Sequence, residues 1–456
     1  MKKSVCMTEG PIGSTMFWFI LPLIGSSVFQ QLYNTADFFL VSNFLGTTAA
    51  AAVGASGTLV TCTIGLFSGI AVGTSVVAAQ AIGAQDAETA DRALHTSLLF
   101  GAAGGVVLML LGLCFAPGVL RILDTPASVL PQAVVYIRIY FLSLPASILY
   151  NMCAGALRAC GDSRTPLGIL AVFGVVNVLL DCLLILVIPL GVAGAAIATV
   201  LCQWMSLAAV LLCLSRPGRP VRLSHKMLRW DARLLGRVLR VGLPSGIQTI
   251  VITFSDVMVQ YYINGLGETA VAAFATYYKV ENFIYLPIMA FGQASTTFAG
   301  QNMGAGQLHR IRRGTAVAAA LGVAVTAGIS GMIYLFQGTV YGWFIDDAAV
   351  IADAMVIGAV VLPSYWVYPI MEACGGALRG MGYSLSSMGI ILVNLCVARV
   401  GLLALFSRHF HTLGAIASVY PITWATAMVC FVIVYFAVMG KKAPRSADPP
   451  PGDDRL

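Results

Sequence analysis

Apolar runs of 18 or more residues recur from one end of this chain to the other, and that recurrence excludes most folds. A helix needs about 20 apolar residues to cross a hydrocarbon core of about 30 Å. Read between polar, Gly or Pro breaks, the runs predict twelve spans. They lie near 14–43, 50–80, 93–116, 130–155, 166–188, 192–214, 238–263, 270–298, 315–337, 351–376, 387–406 and 414–439. Only 10% of the 456 residues are charged, while 59% are hydrophobic and mean hydropathy is +0.88. A water-soluble domain carries about 25% charge to cover its surface. The chain is therefore expected to be an all-α integral membrane protein embedded in the lipid bilayer.

The opening MKKSVCMTEGPIG has no small-residue cleavage site after a short apolar region, so the first span is expected to be retained. The eleven cysteines are scattered, mostly in apolar stretches, with no CxxC and no His/Cys cluster. They read as small hydrophobes, and neither a structural metal nor a cofactor is expected.

Positive charge sets the orientation. With the N-terminus in the cytoplasm, the cytoplasmic segments collect Lys2, Lys3, Arg92, Arg158, Arg164, Arg310, Arg312, Arg313, Arg379, Lys441 and Lys442, and the basic loop between 216 and 240. Only Arg121 and Arg408 fall outside. Both termini are thus expected in the cytoplasm of a bacterial cell, with the chain multi-pass in the inner membrane. The formal charge of +7 is a topology signal, and no nucleic-acid partner is implied.

The chain also repeats itself at a shift of about 221 residues. AAQAIGA at 78–84 matches GQNMGA at 300–305, and GALRACGDS at 155–163 matches GALRGMGYS at 376–384. Leu21-Pro22 parallels Leu243-Pro244, and the segment Asn43 to Gly46 parallels Asn264 to Gly267. Each unit holds six helices, an even number, so the halves share one orientation, as in parallel-repeat transporters. The expected organisation is an N-terminal six-helix lobe over 1–215, a basic linker over 216–237, a C-terminal lobe over 238–440 and a disordered polar tail over 441–456. A cleft between two pseudo-symmetric six-helix bundles suits alternating access.

Ionisable groups at membrane depth cost a few kcal/mol each, which makes them functional candidates. The acids are Asp37, Asp181, Asp256, Glu281 and Glu372, and the bases are Arg138, Lys279 and Arg399. Tyr33 and Asp37 are four apart on the first helix, and Asn177 and Asp181 four apart on the fifth, so each pair shares a face. If those faces meet, their oxygens would bind a hard cation or hold a proton. The repeat places Met258, Ala398 and Leu402 opposite Asp37, Asn177 and Asp181, so the architecture itself does not require these polar groups. In the second half, Asp256, Glu281 and Glu372 are candidate substrate contacts, with Glu372 an alternative partner for Arg399. Tyr277 and Tyr278 belong to an aromatic cluster that would attract organic cations. Pro22 should kink the first helix.

LPLIGSSVFQQLYNTADFFLVSNFLG at the start, the GQNMGAG turn and the paired GALRxxG segments resemble the MATE (multidrug and toxic compound extrusion) transporters, most closely the prokaryotic DinF-like branch. The resemblance runs over essentially the whole chain and implies the MATE fold, twelve helices in two lobes. It implies a cation site at Asp37, Asn177, Asp181 and Thr199 with Tyr33 beside it, all present at the family's spacings. These would be the ligands of Na⁺ if sodium is the coupling ion, or the carriers of H⁺. Pro22 matches the family's proline in the first helix. The implied activity is export of small organic cations by Na⁺- or H⁺-driven antiport, with a monomer expected. The alternative within the same superfamily is a lipid-linked oligosaccharide flippase, which would need several basic groups in its cavity. No HExxH, GxSxG or P-loop lies at membrane depth, so an enzyme is not expected.

Overall fold

A computed structural model describes residues 6–122, 124–216, 221–223, 229–410 and 412–442. The polar tail from 443 and parts of the basic linker lie outside these. In chain order the helices are α1 (Ile12–Phe44), α2 (Thr47–Gly83), α3 (Ala87–Ile122), α4 (Leu130–Phe141), α5 (Leu144–Ala159), α6 (Arg164–Cys182), α7 (Val192–Leu214) and α8 (Ala232–Asn264). They continue with α9 (Glu268–Gly304), α10 (Leu308–Leu335), α11 (Gln337–Gly342), α12 (Ala348–Val361), α13 (Val367–Gly380), α14 (Ser384–Ile391), α15 (Arg399–His409) and α16 (Leu413–Lys442). Among the described residues there is no strand.

Among the described residues, nine helical segments are long and apolar enough to cross a membrane, and two bent pairs raise the number to eleven. The twelfth is α9. Its 37 residues are ample, but Tyr277, Tyr278, Lys279, Glu281 and Asn282 make it less apolar than a lipid-facing span. Large apolar side chains such as Leu32, Phe39, Phe115, Leu179 and Ile433 point outward, the reverse of a water-soluble surface and what a lipid belt requires.

The bent pairs correct two spans expected to be single helices. The chain turns by 47° between α4 and α5 and by 51° between α12 and α13. Pro145 opens α5, and Pro363 and Pro369 flank the second break; proline removes a backbone donor and crowds the preceding turn. A π-helical segment, Leu183–Val187, begins two residues past Asp181, and another, Leu392–Ala398, ends beside Arg399. Insertions of this kind re-aim the side chains around them.

The repeat is visible in the backbone. Gly46 and Gly267, which open α2 and α9, have φ of 84° and 103°, and Gly161 and Gly382 in the GALR turns have 78° and 91°. Such angles favour glycine, which is why these turns kept matching sequence.

The lobes interlock at their leading helices. Met16, Phe19, Ile20 and Leu23 of α1 pack on Ala290, Phe291 and Phe298 of α9 and on Ala318 of α10, all in the second half. From Gly25 onward α1 turns to its own lobe, where Gly25 faces Leu167 and Leu40 and Val41 pack with Ile185 and Val192. In the same way Leu234 and Val238 of α8 pack in the first lobe, while Val259 and Ile263 pack in the second. Pro22 therefore sits where α1 changes lobes.

At the end of the bundle that carries Arg92, Arg158, Arg229 and Arg310, the two lobes are sealed. The Gln80 amide donates to the Gly380 carbonyl at 2.9 Å, and its repeat counterpart Gln301 donates to Ala159 at 2.6 Å. Gly83 lies against the Gln301 backbone and Gly304 against that of Gln80. The N-terminal segment adds to the closure. Met7 is fully buried, its N–H donates to Gln301 Oε1 at 3.2 Å, and its carbonyl accepts from Asn302 and Arg310. A cavity of about 570 Å³ lies between the lobes, lined from both of them.

Candidate functional site

The expected acids of the first lobe come together. α1 packs along α6, with Tyr33 against Gly174, one turn before Asn177. Asp181 lies within electrostatic reach of Asp37. Asp181 is fully buried and Asn177 nearly so. Both Asp181 carboxylate oxygens, Asp37 Oδ1 and Asn177 Nδ2 make no hydrogen bond among the described residues. Buried polar atoms are ordinarily paired, and a buried carboxylate without a partner is costly. Thr199, on α7, donates to the Ala195 carbonyl at 3.1 Å, which leaves its oxygen lone pairs free to accept or ligate. This donor set suits a hard cation, bound through carboxylate and hydroxyl oxygens, or a shared proton.

Three further groups complete this site, and sequence reading missed them. Tyr136 of α4 is within electrostatic reach of both carboxylates, and Tyr140, stacked on it at 6.0 Å, feels Asp37. Cys202 of α7 neighbours Asn177 and Asp181. The four-residue spacing of Tyr136 and Tyr140 was the available signal, one face of a helix, but nothing in it pointed toward α1 or α6.

In the second lobe the structure separates the candidates. Asp256, Glu281 and Arg399 share a chamber of about 340 Å³ walled by Tyr278, Tyr368 and Trp424. Arg399 Nη1 lies 3.8 Å from Asp256 Oδ1, and the guanidinium sits 4.8 Å from the Tyr420 ring centroid. The Glu281 carboxylate accepts from the Tyr365 hydroxyl, which also meets the Tyr277 hydroxyl at 3.0 Å. Tyr278 bonds Tyr420 at 2.7 Å and lines the chamber, whereas Tyr277 is buried behind Tyr365 and the Tyr278 ring and does not line it. Asp256 presents 61% of its side chain to the open space. Glu372 pairs with Arg379 at 3.1 Å, not with Arg399. The seven-residue spacing of Glu372 and Arg379 on one helix, two turns apart, brings them onto the same face.

Asp256 and Tyr285 line both the chamber and the larger cavity between the lobes, so the two adjoin. Arg158 and Arg379, expected in cytoplasmic loops, instead line the central cavity from the ends of α5 and α13. The apolar runs end at 155 and 376, three residues short of each arginine, which is why both were placed outside.

The MatE family pattern matches this chain twice, over residues 22–183 and again over 244–405, a displacement of 222 residues that coincides with the internal repeat. The chain belongs to the MatE family. MatE proteins are transporters, not enzymes. Among MatE relatives, the probable multidrug resistance protein YoeA of Bacillus subtilis is 28% identical over 437 residues, covering 94% of each chain. A second B. subtilis protein, the probable multidrug resistance protein YpnP, is 28% identical over 426 residues, covering 90% of this chain and 92% of its own. An outward-facing multidrug resistance MATE transporter of the MOP superfamily superposes with a TM-score of 0.92 at 22% identity, covering 97% of this chain and 99% of that one. At that identity the likeness establishes the MATE fold.

Proposed function

We propose that this MatE protein is a secondary active antiporter of the bacterial inner membrane, with both termini cytoplasmic, exporting cationic and often aromatic organic compounds in exchange for Na⁺ or H⁺. The observation that carries this reading is the pair Asp37 and Asp181, two neighbouring carboxylates at membrane depth with no basic partner among the described residues. Their repeat counterparts are Met258 and Leu402, so the fold does not need them. Two carboxylates so placed attract one cation or one proton strongly, and each binding event changes the charge between α1 and α6.

The coupling follows from population shift. A ligand moves an equilibrium only through its differential affinity for the two states. Binding of Na⁺ or H⁺ at Asp37 and Asp181 pulls α1 and α6 together and favours one packing of the first lobe. Release lets like charges part. Pro22 lies where α1 passes between lobes, so a change in its outer half can bend the helix there without unpacking the inner half. The Ser163 hydroxyl donates to the Phe19 carbonyl at 3.0 Å, supporting a turn that the proline weakens. An organic cation would sit in the aromatic chamber, between the rings and the accessible face of Asp256. The multidrug-resistance names of the relatives support export of drug-like compounds and do not favour the flippase. No partner chain is needed to complete either site, which supports a monomer.

The deciding experiment is transport of a fluorescent organic cation by purified protein in liposomes, under an imposed pH gradient and, separately, an imposed Na⁺ gradient. One of the two is expected to drive accumulation, and that result names the coupling ion. Failure of both would sink the antiporter. Orientation is tested by thiol labelling with a membrane-impermeant reagent, after replacing the exposed Cys6 and Cys114. Glu88→Cys should react only in permeabilised cells and Asp346→Cys in intact ones. The reverse pattern would invert the topology.

A further inference from the structure

The internal repeat allows the two halves of the central cavity to be compared charge by charge. Arg379 and Arg158 are counterparts, each fourth in a GALR segment, and both line the cavity. Arg379 is neutralised by Glu372 at 3.1 Å, both side chains being about nine-tenths buried. The position that corresponds to Glu372 in the first half is Asn151. Asn151 also lines the cavity, and its amide donates to the Ser147 carbonyl of its own helix at 2.9 Å. The same backbone scaffold thus holds one arginine with a counterion and one without.

The Arg158 side chain makes no ion pair or hydrogen bond among the described residues; the Tyr150 phenol is the group that feels its charge. A guanidinium withdrawn from bulk water with nothing to answer it is unfavourable unless an anion reaches it. Its planar fork fits a carboxylate through two parallel N–H···O bonds. The cavity in front of it, about 570 Å³, is large enough for a small amphipathic molecule, and Asp256 lines it as well, with the aromatic chamber adjoining.

We propose that Arg158 receives an acidic group of the transported compound, so that the cavity selects aromatic molecules bearing both a cationic and a carboxylate end. The cationic end faces Asp256 and the aromatic walls, and the carboxylate faces Arg158. This rests on the exporter reading for the cationic end and goes beyond it in assigning the opposite pole of the substrate. Glu372 excludes a second anion from Arg379, which gives the cavity one polarity and the substrate one direction of entry.

The test uses a rhodamine with a free carboxylate and its ethyl ester, two dyes that differ only at that group. Their affinities for the full chain in phosphatidylcholine nanodiscs are read by fluorescence polarisation, independently of transport. The wild type is expected to bind the carboxylate dye about tenfold more tightly, the scale of a charge-assisted hydrogen bond pair. Arg158→Gln should bring the ratio near one. Asn151→Glu should do the same by supplying Arg158 with the counterion that Arg379 already has, and it retains the arginine if Arg158→Gln fails to fold. A wild-type ratio near one, or a preference that survives both substitutions, overturns the proposal. So does competition by phosphatidylglycerol that Arg158→Gln abolishes, which would assign the arginine to a lipid headgroup. If the carboxylate dye binds through Arg158 but no gradient moves either dye, the exporter reading fails and this assignment stands. If both dyes are exported with no Arg158-dependent preference, only this assignment fails.

Discussion

Asp37→Asn is expected to reduce gradient-driven export at least about tenfold, whichever ion drives it, while the protein stays folded. Asparagine keeps the size and one carbonyl oxygen but can neither carry a proton at neutral pH nor offer negative charge to a hard cation. The neighbouring Asp181 then stands alone, and the electrostatic change that distinguishes the loaded site from the empty one is halved. Stability should not fall with it. Asp37 Oδ1 makes no hydrogen bond among the described residues and lies near a second carboxylate, so removing its charge relieves repulsion. A melting temperature equal to or above wild type, together with lost transport, is the signature of a group retained for function at some expense of stability. Initial rates in liposomes and thermal unfolding in detergent read the two quantities separately. Wild-type transport by Asp37→Asn would remove the first lobe from the coupling mechanism.

The seal at the basic end gives the second large effect. A Cβ built on Gly83 would lie 1.8 Å from the Gln301 carbonyl oxygen, and one on Gly304 the same distance from that of Gln80. Backbone oxygens cannot rotate aside as a side-chain tip can, so α2 and α9 must separate. Overpacking of this kind costs about 1–3 kcal/mol or more. Charged against the closed state alone, that shifts the balance toward an open basic end by about tenfold or more. Gly83→Ala and Gly304→Ala should therefore both lose most transport, for a reason unrelated to ion or substrate binding. Cys160 reports the change. It lies beside Ala159, whose carbonyl accepts from Gln301, and is only 7% exposed. Its alkylation by a maleimide should speed up in both variants, while fully buried Cys153 stays unreactive. Unchanged Cys160 labelling with wild-type transport would show that this crossing does not gate the protein.

Hydrophobic runs and the repeat made the fold legible, because a membrane leaves few options for a chain with so little charge. The acid pairs of α1 and α6 were legible for a related reason. Asp37 and Asp181 interrupt otherwise apolar stretches, and the second repeat shows those stretches surviving without them. What sequence could not supply was direction. The Glu372–Arg379 pair was hidden because Arg379 had been assigned to a loop. Arg158 was hidden in the same way, though the GALR repeat already marked both arginines as counterparts. Of the aromatic residues on α8 and α9, Tyr278 faces the chamber, while Tyr261 and Phe283 point outward at 70% and 61% exposure. A run of aromatic residues on two helices cannot say which of their faces meets lipid.

The exchange of leading helices between lobes bears on how the polypeptide is made. Met16, Phe19 and Ile20 emerge from the ribosome first, yet their partners on α9 and α10 follow about 270 residues later. At roughly 5–20 residues per second, that interval lasts tens of seconds. Through it the start of α1 rests in the bilayer with its eventual neighbours unmade. The first six spans are therefore not a finished bundle when they leave the insertion machinery; they are completed by the seventh, whose own first turns pack against α2 and α3. A chain cut at the linker would need both pieces present together to assemble.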